Sequence, residues 1–549
     1  MSDKPQERGR YRTTIESLAV AVVMALLIKQ FAFEAFQVPT ESMEPVIIGR
    51  PQGGYRLIVN KYVYQVRDPR RWEVVVFRYP LERLMNYVKR LVGIGPEWLF
   101  IRNGDIYTAP AELEHDEALK QAKIQRKPAN VQDDLFDLLK CIPPEDRNTQ
   151  AFRRYWKQEG GDRGQGDIRV LVDDEEVEFT AKGGMNLVSF TLPDRYAVRA
   201  GQPCPPISNR RFDDFAPIVP PRSSIGLMLG LPGPAQGNGP IPGHEAEVGD
   251  VRLAMDVNPQ NDAGTFVMEI RDGTHGRVIR LELAAEGSND SSRLVFGDQS
   301  FPIDAKLETD SWTPVSLANV DDAIHVEVDG DEVFSTTYEH PMIPVVGAIP
   351  ESSQTSPPPA VEPRDVPVQP THDLPHDNGV SFGCSGGRVR MRDIDLARDL
   401  YYSFSGVTDF RIPEDHYLML GDNSPNSLDC RAFQRADLRY RGEDGKVSIL
   451  SGDFEGVGAE NRHHEGSTPA ELALRPMHNP FDDNTRFIDV FGNLREIDPD
   501  RIEMVPDPFH PDRGPVPVET WYDHYVPKEF VLGRAYLVFW PPLQIGVIR

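Results

Sequence analysis

At 549 residues the chain is long enough for about three domains and a sizeable core. Its formal net charge of -26 argues against the basic face that phosphate binding requires, so no nucleic-acid partner is expected, and an acidic body is repelled by anionic lipid. The four cysteines, Cys141, Cys204, Cys384 and Cys430, match neither a zinc spacing nor a dense disulfide framework, and no metal or cofactor is expected.

In chain order, Lys4, Arg8, Arg10 and Arg12 precede an apolar run over 18–28. The uninterrupted run is too short to span a bilayer. Counting 16–36, with Lys29 and the terminal aromatics at an interface, gives about the twenty residues of a spanning helix. A cleavable signal peptide competes with that reading, although no convincing small-x-small site precedes Gln37. The positive-inside rule leaves residues 1–14 in the cytoplasm, 15–36 as a single-pass helix in the plasma (inner) membrane, and everything beyond exported.

Directly after this segment, Pro39 and Pro45 bracket Thr40, Ser42 and their amides in a stretch that cannot continue as helix. Such a segment suits a nucleophile held at the membrane surface; the alternative is a polar linker. Runs at 56–59, 73–78 and 86–92 are β-branched and aromatic, separated by turn residues, and predict strands. On the last of these, alternation puts Lys89 with Tyr87 and Leu91, and Arg90 with Val88 and Val92. A lysine among apolar neighbours loses part of its preference for the ammonium form and becomes a candidate general base. The alternative is a Lys-Arg pair on an exposed strand edge.

Residues 110–155 are charged, with helical patterns at 117–123 and 134–140. From 156 to 402 many short alternating strands and Gly, Asp and Pro turns carry the signature of a β-sandwich or jelly roll, most clearly at 251–257, 279–283, 324–330 and 387–394. The Pro-rich stretch 356–375 reads as a flexible excursion. Residues 436–520 form a second, polar insertion without an assignable pattern.

Three motifs stand in order along the chain: Pro39-Thr40-Glu41-Ser42-Met43-Glu44-Pro45, then Tyr87-Val88-Lys89-Arg90-Leu91-Val92-Gly93, then Gly421-Asp422-Asn423-Ser424-Pro425-Asn426-Ser427-Leu428-Asp429-Cys430-Arg431. In order and chemistry they resemble the type I signal peptidases, membrane-anchored Ser/Lys serine proteases. The resemblance implies a mainly β fold whose catalytic domain is built from 37–109, 403–435 and 521–549. It implies that Ser42 is the nucleophile, Lys89 the general base and Ser427 the group that orients the lysine. The Ser42 amide and Thr40 hydroxyl would form the oxyanion hole, with Asp422, Arg90, Asp429 and Arg431 bracing the site. Expected substrates are exported preproteins, cut close to the lipid bilayer after small side chains. The chain departs from the family in having Gly95-Pro96-Glu97 for Pro-Gly-Asp, Arg71-Trp72-Glu73 for Arg-Gly-Asp, and Asp429-Cys430-Arg431 for Asp-Ser-Arg.

The 156–402 region is similar to the concanavalin-like lectin and glucanase sandwiches, in its Val328-Asp329-Gly330 strand end and its Val389-Arg390-Met391-Arg392-Asp393-Ile394 strand. Such folds often bind carbohydrate, yet a spacer or docking role is at least as good an expectation. Every residue assigned to chemistry lies outside this region. Two other readings remain open: a membrane-tethered carbohydrate or cell-wall binding protein with the peptidase core as scaffold, and a Ser/Lys self-cleaving repressor, for which the acidic chain offers no basic recognition helix.

Overall fold

The computed structural model describes residues 14–24, 32–49, 54–139, 152, 155–171, 176–191, 248–260, 264–272, 277–339, 378–402, 407–424, 427–443, 445–453, 485–505, 518–542 and 545–548. Cys141, Cys204 and the Pro-rich stretch 356–375 lie outside the described residues.

The fold is mainly β, as the alternating runs predict. Its first sheet assembles β1 (Phe33–Gln37), β2 (Arg56–Asn60), β3 (Val74–Arg78) and β4 (Asn86–Ile94) with strands from the far end of the chain. Val531–Trp540 inserts between β2 and β3, His416–Leu420 lies beyond β4, and Val526–Pro527 follows it. All pairings are antiparallel, with Val75 opposite Lys89 and Val74 opposite Arg90. A second, four-stranded sheet orders Asp409–Ile412, β5 (Glu97–Arg102), β6 (Asp105–Pro110) and Lys123–Ile124. Leu91 and Leu418 of the first sheet share a buried cluster with Leu99, Ile101 and Ile412 of the second, so this core is what fixes β4 in place.

The expected helix over 15–36 is corrected at its C-terminal end. Residues 14–24 are helical, with Ile15, Leu18, Val20, Val22, Val23 and Met24 exposed; 25–31 lie outside the described residues. Phe33–Gln37, counted as the end of the span, is a strand paired with β2, and Lys61 Nζ meets Glu34 Oε2 at 3.2 Å. The Phe-Glu-Ala-Phe-Gln alternation, with a partner strand available, outweighs the apolar count there. Among the described residues, no helix is long and apolar enough to cross a membrane.

Between 137 and 398 a fourteen-stranded sheet forms the insertion. Ile279, Leu281 and Leu294 from one side of its strand order and Leu317, Ile324 and Val326 from the other belong to one buried cluster, so the sheet curls over a single core as a sandwich does. The expected helix over 134–140 is also corrected: the helix is Ala129–Leu135, and Asp137–Leu139 is a strand pairing with Leu396–398 of the sandwich. Its Leu-rich sequence is ambiguous by period, and the partner strand decides.

This segment welds the two bodies together. Val131, Leu135, Leu400 and Tyr402 lie in the same cluster as Trp72, Val75 and Leu91 of the first sheet. Lys127, with its side chain 3% exposed, reaches Asp321 and, at 2.9 Å, Asp399. Oxygens of Asp105, Asp250 and Asp321 lie within 4.8 Å of one another at this junction. The polar insertion supplies a small three-stranded sheet, Gln434–Arg441 between Val447–Asp453 and Val518–Tyr522.

Candidate active site

The Pro39–Pro45 segment leaves β1 and turns back towards β2. Val38 N–H donates to Tyr55 O at 3.0 Å, and Tyr55 N–H to Ile48 O at 2.9 Å, which closes the loop between the two strands. Within it Glu44 N–H donates to Glu41 O (3.1 Å) and Ile47 N–H to Met43 O (2.8 Å), and the fully buried Met43 and Ile47 anchor the turn. Ser42 is 7% exposed, and its Oγ lies 3.3 Å from Thr40 Oγ1.

Lys89 is 3% exposed on β4. Its Nζ donates to Ser427 Oγ at 3.1 Å and stands 5.9 Å from the centre of the Tyr87 ring. Burial lowers its pKa to about 8, with the Asp429 charge acting in the opposite direction and Arg431 reinforcing the fall. The alternation argument therefore holds: Tyr87, two residues earlier, faces the ammonium, and the exposed-edge alternative fails.

Gly421 is where the Ser42 turn meets the segment that carries Ser427. A Cβ at this position would lie 2.1 Å from Ser427 Oγ and 2.4 Å from Ser42 O, so only glycine allows the approach. Next to it, Asn423 N–H donates to Ser42 O (3.1 Å) and Asn423 Nδ2 to Glu41 O (3.0 Å). Ser42, Ser427 and Lys89 are thereby gathered into one locality.

Two buried ion pairs surround it. Arg90 holds Asp422 bidentately, Nε to Oδ1 at 2.7 Å and Nη2 to Oδ2 at 2.8 Å, and its Nη1 donates to Trp72 O at 2.7 Å. Arg431 holds Asp429 bidentately at 2.8 and 2.7 Å, while Asp429 Oδ2 also accepts Gly421 N–H at 3.0 Å and Arg431 Nη1 donates to Ser424 Oγ at 2.7 Å. Burial alone would raise the Asp429 pKa; the Arg431 charge and its hydrogen bonds overcome this and hold it below the usual carboxylate value. Such pairs fix geometry more than they add stability, because desolvation offsets their attraction.

The departures from the family pattern are accommodated. Glu97 accepts from Arg71 Nη2 at 2.7 Å and from Ile94 N–H at 2.8 Å. Cys430 is a buried free thiol whose Sγ accepts Met419 N–H at 3.2 Å, and burial pushes its pKa well up, so it packs rather than reacts. Trp72 has φ 74°, the left-handed region that a glycine enters freely and a tryptophan at a cost of about 1–3 kcal/mol. Its indole Nε1 donates to Arg126 O at 3.2 Å, and Lys127 Nζ lies 5.4 Å from the ring centre. Asn423 and Ser424 were not singled out from sequence as site residues. The signal available was their place inside the Gly421 to Arg431 motif, but their partners Glu41, Ser42 and Arg431 become visible only in three dimensions.

Residues 11–154 match the family model described as signal peptidase, peptidase S26. The chain resembles the type I signal peptidases. It is 29% identical over 164 residues to the probable signal peptidase I-2 of Synechocystis sp., covering 28% of this chain and 71% of that one. It is 36% identical over 87 residues to signal peptidase I of Pseudomonas fluorescens, covering 14% of this chain but 31% of that relative. The matched family region contains Thr40, Ser42, Lys89 and Arg90, whereas Asp422, Ser427, Asp429 and Arg431 lie beyond it. Among solved structures, the chain is similar to a Bacillus licheniformis β-glucanase at 8% identity and a TM-score of 0.21, over 46% of this chain and 92% of that one. That likeness is too low to bear on function.

Proposed function

We propose that the protein is a membrane-tethered serine endopeptidase that removes signal peptides from exported preproteins with a Ser42/Lys89 dyad. The observation that carries this reading is Lys89: a buried amine with lowered basicity, oriented by Ser427, on the segment that Gly421 packs against the Ser42 backbone. In the proposed reaction Ser42 Oγ attacks the scissile carbonyl while neutral Lys89 accepts its proton. The Ser42 amide and Thr40 hydroxyl stabilise the developing oxyanion. Lys89 then returns the proton to the leaving amine, and water attacks the acyl-enzyme with Lys89 again as base. Asp422, Arg90, Asp429 and Arg431 act as the rigid surround.

The exposed apolar side chains of the helix over 14–24, behind a basic N-terminus, support anchoring with that end in the cytoplasm. An anchor N-terminal to β1 (Phe33–Gln37) would keep the site, which begins just after that strand, near the bilayer that its substrates leave. The test is incubation of detergent-solubilised protein with a preprotein whose signal peptide ends in small residues, wild type beside Ser42→Ala. Processing by the wild type and its loss by several orders of magnitude in the variant are expected. Equal processing by both proteins would end this reading.

A further inference from the structure

Trp72 touches both the site's bracing and the sandwich junction. On one side its carbonyl accepts Arg90 Nη1 at 2.7 Å, and its N–H donates to Leu91 O at 2.7 Å, so its backbone holds β4 at Arg90 and Leu91. Arg90 in turn follows Lys89 and clamps Asp422, the neighbour of Gly421. On the other side the Trp72 indole lies against Arg126 and Lys127. Those two residues are fastened to the sandwich: Arg126 Nε donates to Asp321 O at 3.0 Å, Lys127 N–H donates to Asp321 Oδ2 at 2.8 Å, and Lys127 Nζ pairs with Asp321 and Asp399. A left-handed φ at a tryptophan, where glycine would be unstrained, persists only when its surroundings over-determine it. The surroundings here are Arg90 and Leu91 at its backbone and, at its indole, Arg126 and Lys127, which Asp321 of the sandwich holds.

We propose that Trp72 is a positioning residue through which the docked sandwich sets the placement of the Lys89 strand. The inference rests on the Ser/Lys reading above. It makes the insertion a part of the catalytic apparatus at second hand, although the sandwich contributes no reacting group.

The test is a coupling experiment on the full-length, detergent-solubilised protein with a preprotein substrate, using Trp72→Gly, Asp321→Asn and the double variant. Glycine accepts φ 74° without strain, so Trp72→Gly removes the indole and spares the backbone. Each single variant is expected to lower kcat by roughly 3- to 30-fold with KM unchanged. The double variant should be no slower than the slower single one, because the sandwich acts only through Trp72. The midpoint of the kcat pH profile should move upward by about half a unit or more as water reaches Lys89. A merely destabilised protein would show a smaller active fraction with that midpoint unmoved. If Asp321→Asn does not fold, Asp399→Asn takes its place. Wild-type kcat in both single variants, or multiplicative losses in the double variant, would overturn the inference. The Ser42→Ala control separates that outcome from failure of the peptidase reading, since loss of its effect would remove the dyad itself.

Discussion

Lys89 illustrates how one side chain's surroundings decide its chemistry. Its lowered pKa of about 8 comes first from burial, and only the neutral amine can accept a proton. Turnover should therefore rise with pH through a midpoint near 8 and level off above it, as measured by initial rates across buffers of constant ionic strength. Arginine at this position cannot lose its proton, so Lys89→Arg should be inactive by several orders of magnitude. Near-wild-type cleavage by that variant would remove Lys89 from the role of base. Thr40 poses a separate question, since its hydroxyl and its β-branch serve different ends. Loss of one oxyanion donor typically costs about 3–4 kcal/mol. Thr40→Val should accordingly lose 10²–10³ in kcat, by about that principle, with little change in KM, while Thr40→Ser stays active. The reverse ranking would make Thr40 a purely structural residue.

At the scale of elements, the site depends on the approach of the Ser42 turn to the segment that follows His416–Leu420. Gly421 is the point of closest approach, and a methyl group there has nowhere to go on either side. Gly421→Ala should fold, yet push Ser427 away from Lys89 or the Ser42 carbonyl away from Asn423. A displacement of this size corresponds to a loss of about 10²-fold in kcat, checked by steady-state kinetics alongside a melting curve to exclude unfolding. Strands such as β3 and β4 were legible in the sequence because β-branched runs with period-two alternation describe a pleated, buried surface. Lys89 and Tyr87 on one face followed from the same rule. Elements decided by a distant partner were not legible: Asp137–Leu139 reads as helix until Leu396–398 supplies its hydrogen bonds, and Phe33–Gln37 reads as membrane span until β2 does. Trp72 was visible as a departure from the family pattern, but its left-handed backbone was not, because no local rule predicts such a conformation for tryptophan.

At the scale of the whole molecule, the sandwich does not hang from the first-sheet body as a separable ornament; the two share a buried cluster through Leu400, Tyr402, Val131 and Leu135. The polar part of this junction is short of positive charge. Asp105, Asp250 and Asp399 all have raised pKa values, first because of burial and then through one another and Asp321 and Asp322, with Lys127 opposing. A carboxyl whose folded pKa exceeds its unfolded value of about 4 makes the native state the better proton binder. The stability from these groups is therefore fully present below about pH 4 and is lost as pH rises towards their raised values. Asp250→Asn keeps an oxygen to accept the Asp321 N–H, and it removes the charge. Its melting temperature should exceed that of wild type by a larger margin at pH 8 than at pH 5, by about 2 °C or more. An equal margin at both pH values would show that this carboxyl does not exchange its proton on unfolding.

The position of Val531–Trp540 between β2 and β3 bears on how the protein comes into being. Ser42 and Lys89 leave the ribosome early, but the strand that separates β2 from β3 and packs Ala535 and Val538 into their shared core is translated hundreds of residues later. Until then the first sheet has a gap between β2 and β3, and closing it means pairing segments far apart in the chain, the slow, high-contact-order kind of folding. On the proposed Ser/Lys reading, a nascent chain that carries Ser42 and Lys89 but lacks this strand is expected to be inactive, because the sheet that positions Lys89 is unfinished.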